Sequence, residues 1–280
     1  MNTLKIGIIC LSLSYACNLY AAEKWPEILL YKDKPVDSLC LFEGNEEAEG
    51  EVSLAKCGLH AEAARKKTGE NPDLIQQGYA GYDYTWEVED ADTQGYSYYK
   101  PFAMTGNAAV VLTRNNSGGT GQFSSLILVA RNADRLKITA FAGGDRCNNG
   151  ITDMKLEQDA QGNSYLVYGV NLTAFDFLDL ANDNPYHLEA YADLDACAAC
   201  CKASAIMQRS LDENFAKEKL LYVDLSSYAA NAEEASSDIK YQACFDSLFN
   251  EYVKKNNSRL NPQALAQFTQ RFNTQCVSKK

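Results

Sequence analysis

The chain has 280 residues and a formal net charge of −11, from 37 acidic side chains against 26 basic ones. That balance argues against a nucleic-acid backbone or an anionic membrane surface as partner, since both demand a surplus of cations. It suits a basic partner or plain solubility, and the ordinary apolar content (46%) excludes a disordered chain.

Residues 1–22 read as a targeting segment. Lys5 supplies the positive end, and the apolar run from Ile6 to Ser14 is too short to span a bilayer. Cleavage is expected near Leu19-Tyr20-Ala21-Ala22, although Ser14-Tyr15-Ala16 also satisfies the small-residue rule; removal of residues 1–22 takes one cation and no acid, leaving a mature charge of −12. Cys17 follows Ser14-Tyr15-Ala16, a poor lipidation box, so simple export is expected. No later stretch is long and apolar enough for a membrane helix. The expected location is periplasmic or secreted.

The cysteines fit that location. Two of the ten, Cys10 and Cys17, lie in the leader, and Cys40, Cys57, Cys147, Cys197, Cys200, Cys201, Cys244 and Cys276 remain. An even set in an exported chain reads as a disulfide framework. Proximity along the chain suggests Cys40–Cys57 and Cys244–Cys276, leaving Cys147 to join one of Cys197, Cys200 or Cys201.

Residues 23–78 form an N-terminal segment. Trp25–Tyr31 packs the terminus down, and a strand from Val36 to Leu41 leads through Cys40. Glu43–Glu51 is an exposed loop. Val52–Lys67 has helical composition, with Leu54, Ala55, Leu59 and Ala63 on a rough stripe, and Thr68–Pro72 stops it. Residues 79–225 are rich in strand signals. Tyr82, Tyr84, Trp86 and Val88 alternate along the first arm of a hairpin that returns over Tyr96–Phe102. Ala108–Thr113, Phe123–Arg131 and Arg135–Ala142 continue a meander, and short connections require antiparallel pairing. Met154–Gln158 and Ser164–Asn171 extend it, giving one antiparallel sheet over about residues 79–182. Asp195–Ser210, rich in alanine and cysteine, reads as a helix, and Lys219–Leu225 as a further strand.

After a polar linker, residues 238–280 form a helical hairpin. Tyr241, Cys244, Phe245, Leu248 and Tyr252 recur at helical spacing. Asn261 and Pro262 open a second helix carrying Leu265, Phe268 and Phe272. Cys244 and Cys276 then fall at the same end of the hairpin. The expected fold is α+β: an antiparallel β-meander core with an N-terminal helix and a C-terminal disulfide-stapled helical hairpin.

Three places stand out as candidate sites. The turn Gly143–Gly150 offers Asp145, Arg146, Asn148 and Asn149, and a bridge from Cys147 would hold it rigid as a binding edge. Its plainer reading is a decorated β-turn. The aromatic hairpin offers Tyr82, Tyr84, Trp86 and Tyr98 as a platform for a glycan or protein surface, though such residues are also ordinary in strands. Cys197-Ala198-Ala199-Cys200 has the spacing of a thiol–disulfide pair, without the βαβ context such an enzyme wants. Its plainer reading is two structural bridges leaving the cluster.

Catalytic patterns are weak. His60 and His187 are the only histidines, and no nucleophile elbow is present. Asp145, Asp153, Asp176, Asp179 and Glu189 supply carboxylates for glycoside hydrolysis, but no spacing selects a pair. No metal or cofactor motif is evident. The sequence therefore points to an exported binding protein for a protein or glycan ligand, such as an inhibitor of a basic envelope or host enzyme. A carbohydrate-active hydrolase, or a thiol–disulfide oxidoreductase using Cys197 and Cys200, is the alternative.

Overall fold

The structure, a computed structural model, describes residues 25–46, 51–56, 65–88, 91–143, 147–182, 186–211, 218–226, 238–255 and 258–278. The expected α+β class holds, built on two larger antiparallel sheets. A small hairpin, β1 (Leu30–Tyr31) and β2 (Lys34–Pro35), opens the chain, followed by helix α1 (Ser38–Glu46). Next come β3 (Glu51–Ser53), β4 (Arg65–Gly69) and a short helix α2 (Pro72–Gln76). The meander is β5 (Ala80–Val88), β6 (Ala91–Thr105), β7 (Ala108–Asn116), β8 (Phe123–Asn132) and β9 (Arg135–Gly143). With β3 and β4 it makes a seven-stranded sheet in the order β3-β9-β8-β7-β6-β5-β4.

The second sheet has five strands in the order β10-β11-β12-β13-β14. They are β10 (Ile151–Gln158), β11 (Ser164–Thr173), β12 (Cys201–Ser210), β13 (Glu218–Asp224) and β14 (Arg259–Leu260). Helix α3 (Ala174–Asn182) follows β11. Helices α4 (Gln242–Lys255) and α5 (Pro262–Phe272) form the C-terminal hairpin. Asn261 caps α5 by accepting from the Ala264 amide at 2.8 Å, with Pro262 at the first helical position.

β7 and β8 at the centre of the meander are buried on both faces, which explains their nearly continuous apolar runs. On β7, Val110 and Leu112 join the large core, while Ala109 and Val111 face a second core under the N-terminal segment. On β8, Leu126 faces the first and Ile127 and Val129 the second. The larger core continues into the helices. Phe177 of α3 meets Phe268 of α5 at 4.9 Å, and Phe245 of α4 meets Phe268 at 5.5 Å, both edge to face.

Three expectations need correction. The helix expected over Val52–Lys67 has strands at both ends: β3 pairs with β9 and β4 with β5. The N-terminal helix is α1 instead, entered through Asp37, whose carboxylate accepts from the Leu39 amide at 2.9 Å. Here a local cap outweighs the strand-like apolar run Leu39–Phe42. The cysteine-rich helix over Asp195–Ser210 is a turn followed by β12, paired on both sides by β11 and β13. Pairing overrides its helix-forming composition, and Ala203 and Ala205 are buried in the larger core.

The third correction is the single sheet over residues 79–182. The chain leaves the first sheet after β9 and starts the second at β10. Gly143 and Gly150, with φ of 92° and 36°, bracket the crossing. A Cβ at either would stand 2.3 Å from the Ser124 carbonyl oxygen, so both ends of the crossing lie against one point of β8.

Candidate binding cleft

Of the Gly143–Gly150 turn, Asp145 and Arg146 lie outside the described residues. Asn148 is engaged through its backbone and Oδ1. Its amide donates to the Ala198 carbonyl at 2.8 Å, its Oδ1 accepts from the Gln122 amide at 2.8 Å, and its carbonyl accepts from Asn171 Nδ2 at 2.9 Å. Asn149, at φ 63°, donates its amide to the Gln122 carbonyl at 2.8 Å, and its carbonyl accepts from Ser124 Oγ at 2.7 Å. Ser124 Oγ in turn accepts from the Ile151 amide at 2.7 Å. With Cys147 bridged to Cys201, this segment is a joint between the sheets. Asn148 is half-buried with its Oδ1 and backbone engaged, while the Asn149 side chain is exposed.

The cysteine cluster differs from its expectation. Cys197 and Cys200 pair with each other across a tight turn closed by the Cys200 amide on the Cys197 carbonyl at 3.0 Å. One bridge therefore leaves the cluster, from Cys201, where two were expected. Cys244 pairs with Cys276 across the helical hairpin. Cys40 is also bonded, and its expected partner Cys57 lies outside the described residues. Every described cysteine is thus in a disulfide.

The aromatic hairpin is not an open platform. Tyr84 and Tyr98 are each 1% exposed, and they sit on opposite faces of the sheet. The Tyr84 ring lies over Gly95, where a Cβ would come within 2.7 Å of it, and its hydroxyl donates to the Asn116 carbonyl at 3.1 Å. Tyr98 donates to Asp83 Oδ1 at 3.0 Å and accepts from the Asn71 amide at 2.6 Å. Burial foremost pushes the Tyr98 phenol up to about 12. Tyr82 donates to the Asp37 carboxylate at 3.0 Å and Trp86 to the Ser117 carbonyl at 3.1 Å. Arg65 of β4 lies over Tyr84 and Trp86 at 5.3 and 5.5 Å, and Lys67 over Tyr82 at 5.1 Å. These rings seat β4 and α1.

The carboxylates proposed for hydrolysis sit on separate elements. Asp153 is on β10, Asp176 and Asp179 are on α3, and Glu189 follows that helix. Asp176 forms a reciprocal cap with Thr173: it accepts from Thr173 Oγ1 at 2.6 Å, and its amide donates back at 3.2 Å. No group of three or more metal-binding side chains occurs among the described residues.

The feature that sequence reading missed is a cleft of about 810 Å³ where free edges of the two sheets approach each other. Pairing of β5 with β6 ends at Ala80 opposite Tyr99, so residues 100–105 of β6 have no strand on that side among the described residues. The second sheet ends at β10. Pro101, Phe102 and Met104 line one wall, and Leu156 with its neighbours on β10 lines the other. The Thr105 hydroxyl donates to the Leu211 carbonyl at 2.9 Å, and the Leu211 amide donates to the Ser164 carbonyl at 3.0 Å. These bonds tie the sheets together beside the cleft.

Met104 is 46% exposed and Leu156 53%, two of the four large apolar side chains exposed among the described residues. Both project where the walls meet solvent, and β6 carries a bulge between Pro101 and Ala103. The signals were present in the sequence: a proline inside a strand marks an edge, and Leu156 stands exposed between the charged Lys155 and Glu157. Only the pairing of the strands shows that the two edges share one cleft. No family model, curated protein or solved structure matches this chain.

Proposed function

We propose that this chain is an exported, disulfide-stapled binding protein that takes an extended polypeptide segment of a partner protein in the cleft between β6 and β10. The observation that carries the reading is the pair of strand edges, unpaired among the described residues, that line one cleft with Phe102, Met104 and Leu156 in its walls. Unpaired backbone N–H and C=O groups along an edge are satisfied by an added strand, while alternate side chains of that strand enter apolar pockets. A glycan would leave much of that backbone unmatched, so of the two ligand classes the protein segment fits better. Export is supported by the leader-like first 22 residues and by the disulfides. The staples and the joint at Asn148 and Asn149 favour a preorganised site, which lowers the ordering cost of binding.

Selection of a displayed random-peptide library on the mature protein, followed by competition, tests the reading. The selected peptides should be β-prone and apolar at alternate positions. Leu156→Glu and Met104→Glu should each weaken their binding at least tenfold, roughly one apolar anchor's contribution. Peptides that bind both variants as well as the parent protein would refute the assignment.

A further inference from the structure

Among the described residues, two cations, the first of them next in the chain to the cleft wall, have no counter-ion. Lys100 begins the free edge of β6, immediately before Pro101 of the cleft wall. Its Nζ lies 4.5 Å from the centre of the Tyr79 ring, and the Arg114 guanidinium lies 5.5 Å from the same centre. Arg114 is held in place because its Nε donates to the Tyr79 hydroxyl at 3.1 Å. Its terminal nitrogens have no partner among the described residues, and Lys100 makes neither a hydrogen bond nor an ion pair there.

This is unusual for a chain with 37 acidic side chains against 26 basic ones. The nearby acid, Asp83, accepts from the Tyr98 hydroxyl at 3.0 Å and is not paired with either cation. Partial burial, and then the charge of Arg114, hold the Lys100 amine below its usual range. Two like charges gathered on one aromatic ring repel each other, and an anion placed between them would relieve that repulsion while accepting charge-assisted hydrogen bonds from both. Lys100 lies opposite Leu112 in the strand register, on the side of the sheet where Leu112 and Phe102 pack. A strand lying along Phe102 and Met104 therefore runs toward the pair.

We propose that Lys100 and Arg114 receive a carboxylate of the segment bound in the cleft. The inference rests on the cleft reading and adds a chemical requirement to it: the partner's strand carries an acid beyond its apolar contacts. Either a chain-terminal carboxylate or an Asp or Glu side chain meets that requirement.

The anion site is tested on the full mature chain without any peptide. Sodium acetate is titrated against sodium chloride at constant ionic strength, and resonances of Lys100 and Tyr79 are followed by NMR. The expected result is a saturable shift with acetate and none with chloride. It should be lost in Lys100→Gln and in Lys100→Gln combined with Arg114→Gln, and kept in Leu156→Glu. The single variant removes no hydrogen bond, so it serves if the double variant folds poorly.

Peptides recovered on the cleft are then remade as free acid, terminal amide, and with internal Asp or Glu changed to Asn or Gln. Whichever change removes the received carboxylate should weaken binding about tenfold, the scale of one charge-assisted hydrogen bond. Lys100→Gln should erase that difference. No saturable acetate shift, or peptide affinity indifferent to every loss of acid, would overturn the anion site while leaving the cleft standing. Failure of any peptide to depend on Leu156 would instead overturn the cleft reading.

Discussion

The joint between the sheets depends on single residues. Asn148 gives the Gln122 amide its acceptor and, through its backbone, anchors Asn171 and the cysteine turn. Asn148→Ala removes the side-chain acceptor of that exposed amide and should destabilise the fold by about 0.5–1.5 kcal/mol, read as a lower midpoint in thermal unfolding. Gly150→Ala puts a Cβ against the Ser124 carbonyl oxygen at a φ of 36° and should cost about 1–3 kcal/mol. If both variants melt with the parent protein, this crossing does not hold the sheets together. Glu251 carries a pH signature. Arg271 reaches it with two hydrogen bonds at 2.9 and 3.0 Å, and Lys255 with a third at 2.6 Å. Arg271 first, then Lys255, hold its carboxyl at about 2 against a usual 4.5. The folded value is depressed, so the stabilising contribution is full above 4.5 and is lost as pH falls through about 2. An NMR titration of the Glu251 carboxyl should show this, and a midpoint near 4.5 would contradict the contacts of Arg271 and Lys255 with Glu251.

Among the elements, the disulfides should contribute unequally. Closing a long loop removes more unfolded-chain entropy than closing a short one, so losing Cys244–Cys276 should cost roughly 3–4 kcal/mol and losing Cys197–Cys200 only about 2 kcal/mol. Paired serine substitutions followed by thermal unfolding check that order. A larger loss from the Cys197–Cys200 pair would mean that the turn does more than close on itself. The C-terminal hairpin was legible in the sequence because its signals are local: the Asn261–Pro262 start and the spacing of Phe245, Leu248, Leu265 and Phe268. β12 was not legible. Its alanines, Lys202 and Met207 are helix formers, and only the pairing with β11 and β13 makes it a strand. α1 was hidden because a four-residue apolar run says nothing of period, and Asp37 decides it.

At the scale of the whole molecule, the candidate site was invisible from sequence because it belongs to no single element. Tyr82, Tyr84, Trp86 and Tyr98 drew attention by composition, yet the fold spends them on seating α1, α2 and β4. The cleft arises because β5 stops short of the end of β6 and because, among the described residues, β10 has no outer neighbour. The same meander that buries β7 and β8 on both faces leaves the end of β6 without a strand on one side among the described residues. A two-sheet body with open edges at one end would add a strand without changing shape.

The most direct measurement is amide hydrogen exchange with and without a peptide selected on the cleft. Strand addition predicts that binding slows exchange at outward-facing amides of β10 between Asp153 and Gln158, or of β6 between Phe102 and Met104. Amides already bonded to β11 or β7 should change little. Tight binding with no protection at either edge would contradict strand addition and place the ligand elsewhere on the protein.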